Sequence, residues 1–447
     1  MDSERKLILN EDLKKLLLKF SLPAIIGLVF SSLYNVIDSL FVGHGVGPLA
    51  IAGLAIVLPI QILMFAVGFM IGNGCASIVS RSLGAKDRAK AAKTAGNALI
   101  LNFVLSIIMM LVFYLFMDKI LVFFGASPEV LPYSRDYLSF IIFGFIFYSF
   151  DVLGNNLIRS EGRPRAAMYS LVIGAVLNII FDPIFIFVFK MGVKGAAIAT
   201  IISQAVNMIF IIFYFNLSKS VFRFNFKIFK LDFKLILEIL KIGFPSFLMS
   251  MADSIIFILF NRAIMQYGSD LHIAIVSIAM RVMDIAMMPI IGIAQAFSTI
   301  TGFNYGANNF IRVKQVLKEA FIWTTIISAL SFILIFGFPE LLMKIFSSDS
   351  NMINIGVLPI RIISVFFITL GVQIIGGSFF QAIGKAIPAL ILNISRQVIF
   401  LIPAIIIMPL FLGLNGVWLS MPFSDLMSTI LTVIFIIYEL KVIKSFS

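Results

Sequence analysis

Long apolar runs alternate with short polar segments over almost the whole chain. A helix needs about 20 apolar residues to cross a hydrocarbon core of about 30 Å. Clusters of Gly and Pro, such as the one at residues 43–48, divide neighbouring runs into hairpins. The pattern predicts an all-α polytopic membrane protein with twelve transmembrane helices, at residues 16–41, 49–80, 94–117, 136–158, 166–189, 195–217, 236–266, 271–303, 318–338, 355–380, 388–410 and 415–439.

The breakers and turn residues recur at an offset of 222 positions. Pro23 recurs as Pro245, Gly162 as Gly384, and Gly84-Ala85 as Gly306-Ala307; near the end residues 192–195 match 413–416. Six spans per copy is an even number, so both copies start on the same side. The repeat therefore predicts two six-helix lobes related by a pseudo-two-fold axis along the membrane normal. We place the N-lobe at residues 1–217, a cytoplasmic interlobe linker at 218–235 and the C-lobe at 236–447.

Composition and charge agree with a membrane protein. The chain is 61% hydrophobic and 13% charged, whereas soluble domains are about 45–50% apolar and about 25% charged. The net charge of +12 comes from loops on one side of the spans, as the positive-inside rule describes, and not from a nucleic-acid surface. We expect both termini in the cytoplasm and the basic, aromatic linker on the inner leaflet.

The first copy carries two aspartates inside spans, where ionisable groups indicate function by default. Asp38 shares a helix face with Tyr34 and Asn35, and Asp182 has Asn178 one turn back. We expect these five residues to form a carboxylate–amide pocket for a proton or a small cation such as Na⁺. The alternative is that each aspartate only clasps a neighbouring helix.

The second copy does not repeat these carboxylates. At the offset of 222, Asp38 maps to Phe260 and Asp182 to Ala404, while Asp253 maps to Ser31. The two copies therefore differ in chemistry. Asp253 either joins two helices by a hydrogen bond or belongs to a functional site, and the sequence does not favour one role over the other.

A second group of candidates lies on the eighth span. Arg281 and Asp284 are three residues apart and can pair on one face. Methionines nearby suit an adaptable binding surface, although filling of the core is their commoner role. The substrate-site candidates are Asp253, Asp284, Arg281, Met280, Met287 and Gln295.

We assign structural roles to four further ionisable residues. We expect Arg396 and Asp425 to pair across the last two spans. Asp151 and Arg361 are placed near span ends, where the arginine can snorkel. One cysteine and two histidines supply neither an intrachain disulfide nor a His/Cys metal cluster, so we predict no cofactor and no bound metal besides the coupling ion.

Taken together, these motifs resemble the multidrug and toxic compound extrusion (MATE) transporters, and more narrowly their DinF/MepA-like branch. The matching segments run along nearly the whole chain; they are Leu22-Pro23, Tyr34–Asp38, Phe41–Gly43, Ala52-Gly53, Ser80–Gly84, Arg159–Gly162, Asn178–Pro183, Gly192–Ala197 and Asn304–Ala307.

The resemblance implies an antiporter that exports organic, often cationic, compounds in exchange for H⁺ or Na⁺. It implies two six-helix lobes, a central cavity and a cation site at Asp38, Asn178 and Asp182. Asp253 lies where related members carry an acid on the seventh helix, but the tenth span contains no Asp or Glu. Coupling through the N-lobe is therefore favoured. The resemblance also implies the cytoplasmic (inner) membrane of a prokaryote. We expect a monomer that meets membrane lipid and binds no nucleic acid.

Three other functions remain open. A lipid-linked oligosaccharide flippase would use arginines such as Arg281, Arg361 and Arg396 to bind pyrophosphate. An intramembrane aspartyl hydrolase would pair Asp38 with Asp182, but the Gly-x-Gly-Asp context and a His-Glu-x-x-His motif are absent. A passive channel is the third. We predict that the protein is not an enzyme.

Overall fold

The protein is helical throughout the part of the chain described by the computed structural model, which covers residues 2–217, 220–222, 229–346 and 349–444. The helices of the first half are α1 (Asp2–Asn10), α2 (Leu13–Gly45), α3 (Pro48–Gly84), α4 (Arg88–Leu115), α5 (Met117–Phe123), α6 (Leu131–Ser160), α7 (Pro164–Pro183) and α8 (Val193–Leu217). Those of the second half are α9 (Phe233–Tyr267), α10 (Asp270–Gly306), α11 (Phe310–Gly337), α12 (Pro339–Phe346), α13 (Ser350–Ser364), α14 (Leu370–Ala382), α15 (Ala386–Ile394), α16 (Ile402–Leu412) and α17 (Leu414–Lys444).

Within the described residues, twelve helical segments are long and apolar enough to cross a membrane, which confirms the predicted fold class. Helices satisfy every backbone N–H and C=O internally, and hydrocarbon offers no other partner. The predicted bounds were too short at many ends, because polar residues at the membrane surface continue the helix. The hairpin at residues 43–48 is also tighter than expected: α2 ends at Gly45, and Gly47, with a φ of 112°, makes the turn. The short helices α1, α5 and α12 were not predicted.

Three of the spans are interrupted rather than continuous. A π-helical segment, Ile184–Val188, extends α7, and another, Ser395–Leu401, joins α15 to α16. Each adjoins a proline, Pro183 or Pro403, which lacks the N–H of a normal helical bond. The tenth span divides into α13 and α14 around the 3₁₀ turn Phe367–Thr369. π segments often occur at functional sites.

The sequence repeat is also a repeat of backbone conformation. Lys86 and Asn308, which are 222 positions apart, have φ values of 65° and 57° in equivalent turns. The next residues, Asp87 and Asn309, cap the following helices by accepting hydrogen bonds from backbone N–H groups three residues on. Left-handed glycines match as well, at Gly162 and Gly384 and at Gly192 and Gly413. The two copies therefore share their turns.

Packing divides the described chain into two compact units. Unit 1 comprises residues within 1–11 and 22–250, and unit 2 comprises residues within 12–21 and 251–447. The start of α2 thus packs with unit 2, and the start of α9 packs with unit 1. The predicted lobe boundaries at 217 and 236 stay a prediction. The central linker residues 223–228, expected on the inner leaflet, lie outside the described residues.

The core of unit 2 is a continuous apolar cluster. Its largest members, Phe260, Phe367 and Trp418, are almost completely buried.

In unit 1, the connection after α8 is held by a buried carboxylate: Glu161 accepts hydrogen bonds from the Ser220 hydroxyl and the Val221 N–H, both at 2.7 Å. Burial raises the pKa of Glu161, and these hydrogen bonds oppose that shift.

Within unit 1, the first part of α9 lies directly against α3. A Cβ on Gly74 would lie 2.1 Å from the carbonyl O of Ile239, and one on Gly243 would lie 1.8 Å from that of Met70. An ion pair joins Arg81 to Glu238 at 3.3 Å. Lys93 binds Asp232 at 2.6 Å, and this hydrogen bond lowers the pKa of Asp232. Because Gly74 and Gly243 have no side chains, the backbones of α3 and α9 pack directly against each other where the helices cross.

We expect Gly243→Ala to destabilise the protein, because the new methyl group meets a backbone oxygen that cannot rotate away. Overpacking of this kind costs about 1–3 kcal/mol, seen as a lower midpoint of thermal unfolding in detergent. Gly337→Ala is the matched control, because a Cβ there has nothing within 4 Å. Equal midpoints for the two variants would contradict the close crossing.

Candidate functional site

Helix α2 contributes one end of the predicted pocket in unit 1. Asp38 is buried, with 8% of its surface exposed, and its Oδ1 has no hydrogen-bond partner. Tyr34, one turn earlier, is half-buried and interacts electrostatically with Asp38 and Asp182. Asn35 is exposed, and its amide donates to the carbonyl O of Ser31 on its own helix. The structure therefore brings Tyr34 to the carboxylates, and the Asn35 side chain interacts with the Tyr34 hydroxyl.

Helix α7 contributes the other end. The Asn178 amide donates to Asp182 Oδ1 at 3.1 Å and to Thr200 Oγ1 of α8 at 3.3 Å. This is the predicted contact between residues one turn apart. Asp182 has no exposed surface, because the polar edge of α7 faces α8 here. Thr200 in turn donates to the carbonyl O of Ala196 at 3.0 Å, which fixes its hydroxyl.

The pocket has a surplus of oxygen acceptors. Asp38 Oδ1, Asp182 Oδ2 and Asn178 Oδ1 are all buried without a hydrogen-bond partner in the described part of the chain. The carboxylates of Asp38 and Asp182 are also close enough to repel each other. Buried anions without partners are costly in a medium of low dielectric constant. A bound proton or small cation would supply the missing positive charge.

Tyr137 and Gln61 extend this pocket and were not predicted from the sequence. The Tyr137 hydroxyl interacts with both aspartates, and the Gln61 side chain interacts with the Tyr137 hydroxyl. Tyr137 belongs to α6, and its contact with α2 and α7 depends on the packing of distant segments. The sequence feature that could have indicated Tyr137 is a row of polar residues at helical spacing along α6, which includes Tyr148 and Asn155.

Asp151 does not lie near the end of its span, so the sequence reading was wrong. It sits nine residues before Ser160, the last residue of α6, or about 14 Å along the helix axis. Only 8% of its surface is exposed. It interacts with Tyr34, which makes it the third aspartate around this tyrosine.

In unit 2, the π segment Ser395–Leu401 carries two polar residues that bind aspartates. Arg396 Nε donates to Asp425 Oδ1 at 2.6 Å, which confirms the predicted pair. The adjacent Gln397 donates its amide to Asp253. The wider π turn presents these consecutive side chains to two different helices, α17 and α9.

The possible pair of Arg281 and Asp284 does not form. Both side chains are exposed, and no ion pair joins them within the described ranges. Spacing of three residues permits a contact on one helix face but does not require one. Asp284 instead interacts at longer range with Arg396 and Arg281. The other candidates, Met280, Met287 and Gln295, are half-buried on the same helix.

The positions equivalent to the unit 1 carboxylates are apolar and buried in unit 2. Phe260 is almost fully buried within the core cluster, and Ala404 is buried beside the π segment. Across the described ranges, no group of three or more His, Cys, Asp or Glu side chains is close enough to hold a metal ion. The polar chemistry of the two units is therefore different despite their shared turns.

Comparison with known proteins identifies the family. The MatE family model matches residues 23–184 and again residues 245–407, with starts 222 positions apart. The chain belongs to the MatE family. Its relatives include the multidrug export protein MepA of Staphylococcus aureus (strain MSSA476), which is 28% identical over 96% of this chain and 94% of the relative. MepA of Staphylococcus haemolyticus (strain JCSC1435) is 27% identical over the same shares.

Solved structures of MATE proteins have the same fold. A crystal structure of MATE in complex with MaL6 matches with a TM-score of 0.93 and 26% identity, covering 98% of this chain and 99% of that chain. A MOP superfamily transporter from Pyrococcus furiosus matches with a TM-score of 0.92 and 27% identity, covering 98% of both chains. The MATE fold is therefore present over nearly the whole length.

We expect Asp425→Asn to destabilise the protein, because it removes the ion-pair partner of the largely buried guanidinium of Arg396. Breaking such a pair costs about 3 kcal/mol, measured by thermal unfolding in detergent. The matched control is Asp136→Asn, which removes an exposed pair with Lys194 of 3.2 Å and costs less than about 1 kcal/mol. A loss no larger than that of the control would contradict the buried pair.

Proposed function

We propose that the protein is a secondary active multidrug efflux antiporter, which exports organic, often cationic, compounds in exchange for H⁺ or Na⁺. The observation that carries the proposal is the pocket of Asp38, Asn178 and Asp182, with its three buried oxygens that lack partners. Membership of the MatE family supports export, and so do the relatives named as multidrug export proteins.

The pocket provides a physical basis for coupling. A ligand shifts a conformational equilibrium only if it binds the two states with different affinity. A cation that neutralises Asp38 and Asp182 favours the state in which they are buried together, whereas hydrated carboxylates favour a more open state. The membrane potential adds about 2.3 kcal/mol per charge per 100 mV to inward movement of the cation. Alternating access then links this movement to export of the substrate.

Substrate recognition is assigned to unit 2. Asp284 offers an exposed carboxylate without an ion pair in the described chain, and Met280 and Met287 offer adaptable apolar surface on the same helix. Together they suit a flat organic cation. Gln295, two turns further along, adds an amide, and Asp253, which is held by Gln397, adds a second negative charge.

The other functions have less support. A pyrophosphate-binding flippase needs free arginines, but Arg396 is paired with Asp425 and Arg361 donates to the carbonyl O of Phe336 at 3.2 Å. An aspartyl hydrolase needs water between its two carboxylates, but Asp182 has no exposed surface. We therefore retain the antiporter, as a monomer in the cytoplasmic membrane with both termini on the inner side.

We expect Asp38→Asn and Asp182→Asn each to abolish ethidium efflux from energised cells, because neutral amides bind no coupling cation. Asp118→Asn, which alters an exposed pair with Arg135, should leave efflux near the original rate. Western blots of the membrane fraction control for expression. Unchanged efflux in both pocket variants would refute the coupling site.

The identity of the coupling ion is tested in sealed everted vesicles, with the pH gradient and the Na⁺ gradient imposed separately. We expect drug accumulation against its gradient to follow one of the two, because a coupled carrier uses the free energy of its own ion. Accumulation that is indifferent to both gradients would contradict antiport, and equilibration without accumulation would indicate a channel.

We expect Asp284→Asn to weaken ethidium binding by about tenfold, which corresponds to 1.4 kcal/mol, because it removes the negative charge nearest the methionines. Fluorescence anisotropy of ethidium with purified protein measures the affinity. Asp270→Asn, at the start of the same helix, is the control and should leave affinity unchanged. Equal affinities for both variants would exclude Asp284 from the substrate site.

A further inference from the structure

Unit 1 contains another buried carboxylate that the proposed coupling pocket does not use. Asp151 of α6 is 8% exposed, and Asn207 of α8, which is 5% exposed, interacts with it through its side-chain amide. Asp151 Oδ1 and Asn207 Oδ1 are both buried without a hydrogen-bond partner. The Asn207 amide thus donates to Asp151 across two helices, and in the described chain neither Asp151 Oδ1 nor Asn207 Oδ1 has a donor.

The groups around Asp151 do not neutralise it. The titratable groups that interact with it are the hydroxyls of Tyr34 on α2 and Tyr148 on α6. None of the ion pairs in the described ranges includes Asp151. An uncompensated anion about 14 Å from the end of a transmembrane helix costs several kcal/mol.

A helix–helix clasp does not account for this arrangement. The clasp of Asn155 on the same helix is different, because its amide donates to the Ala167 carbonyl at 2.7 Å and to the Ser170 hydroxyl at 2.9 Å. In a native interior, a buried polar atom without a partner requires an explanation. Here the missing element is a positive charge or a proton on the carboxylate.

We infer that Asp151 and Asn207 form a second site for a small monovalent cation, H⁺ or Na⁺, distinct from the pocket of Asp38 and Asp182. In the proton case, a proton from water bonds to the Asp151 carboxylate and removes its charge, while the Asn207 amide keeps donating to the carboxyl group. In the sodium case, the unpartnered Asp151 Oδ1 and Asn207 Oδ1 and the nearby tyrosine hydroxyls coordinate the ion.

Tyr34 connects the two sites electrostatically. Its hydroxyl interacts with Asp38, Asp182 and Asp151, so occupancy of one site changes the field at the other. The use of the second site in transport rests on the proposed antiport function, but its existence does not. The two claims can therefore be tested separately.

Infrared difference spectroscopy of the purified full-length protein tests the site, because a protonated buried carboxylic acid gives a distinct carbonyl band. We expect Asp151→Asn to lose one such band, which persists and titrates in the Asp38→Asn/Asp182→Asn double variant. Asn207→Leu should shift the frequency of this band, because it removes the hydrogen bond that the Asn207 amide donates to the carboxyl group. Asp118→Asn is the matched control and should lose none.

Sodium added at constant pH distinguishes the two ions. Loss of the Asp151 band on addition of Na⁺ supports a site that takes either ion, and an unchanged band supports a proton site. Absence of any Asp151-dependent band or Na⁺-dependent carboxylate change over the pH range in which the protein is folded would overturn the inference. Persistence of the band in the double variant is independent of whether that variant exports ethidium.

Discussion

The cost of placing a carboxylate in a medium of low dielectric constant governs the polar chemistry of this protein. Each buried aspartate in a span requires compensation, and the two units provide it differently. In unit 2, Asp425 is compensated permanently by the guanidinium of Arg396. In unit 1, the groups of the described chain that compensate Asp38, Asp182 and Asp151 are amides and hydroxyls, without an ion-pair partner. Permanent pairing stabilises structure, whereas incomplete pairing creates a place for a mobile cation.

The two units share their turns but differ in their buried residues, as expected for two copies of one scaffold. The equivalent left-handed residues Lys86 and Asn308 show that the backbone of the loops was retained in both copies. At the positions of the unit 1 carboxylates, unit 2 carries Phe260 and Ala404 in its apolar core. Coupling and substrate recognition can thus be assigned to different copies of one architecture, which is the basis of the proposed antiport.

Much of the fold could be predicted from the sequence, because a run of about 20 apolar residues has few alternatives to a transmembrane helix. The form of the three helix interruptions could not be predicted from the sequence. Pro183 and Pro403 indicate a missing hydrogen bond, but not whether the helix ends, kinks or widens into a π turn. The contact of Asn178 with Asp182 followed from their spacing, whereas the Arg281–Asp284 spacing only permitted a contact. The positions of Tyr137 and Asp151 depend on how α6 packs against α2 and α8, which one sequence does not specify.

The central claim is that Asp38 and Asp182 bind the coupling cation, and that this cation and the export substrate favour different conformational states. The most direct measurement is the change in cation occupancy when ethidium is added to purified protein in weakly buffered detergent solution, followed with a pH electrode and a Na⁺ electrode. We predict release of H⁺ or Na⁺ by the unaltered protein and a much smaller release by the Asp38→Asn/Asp182→Asn variant. Equal release by both proteins, at equal ethidium binding, would contradict the account.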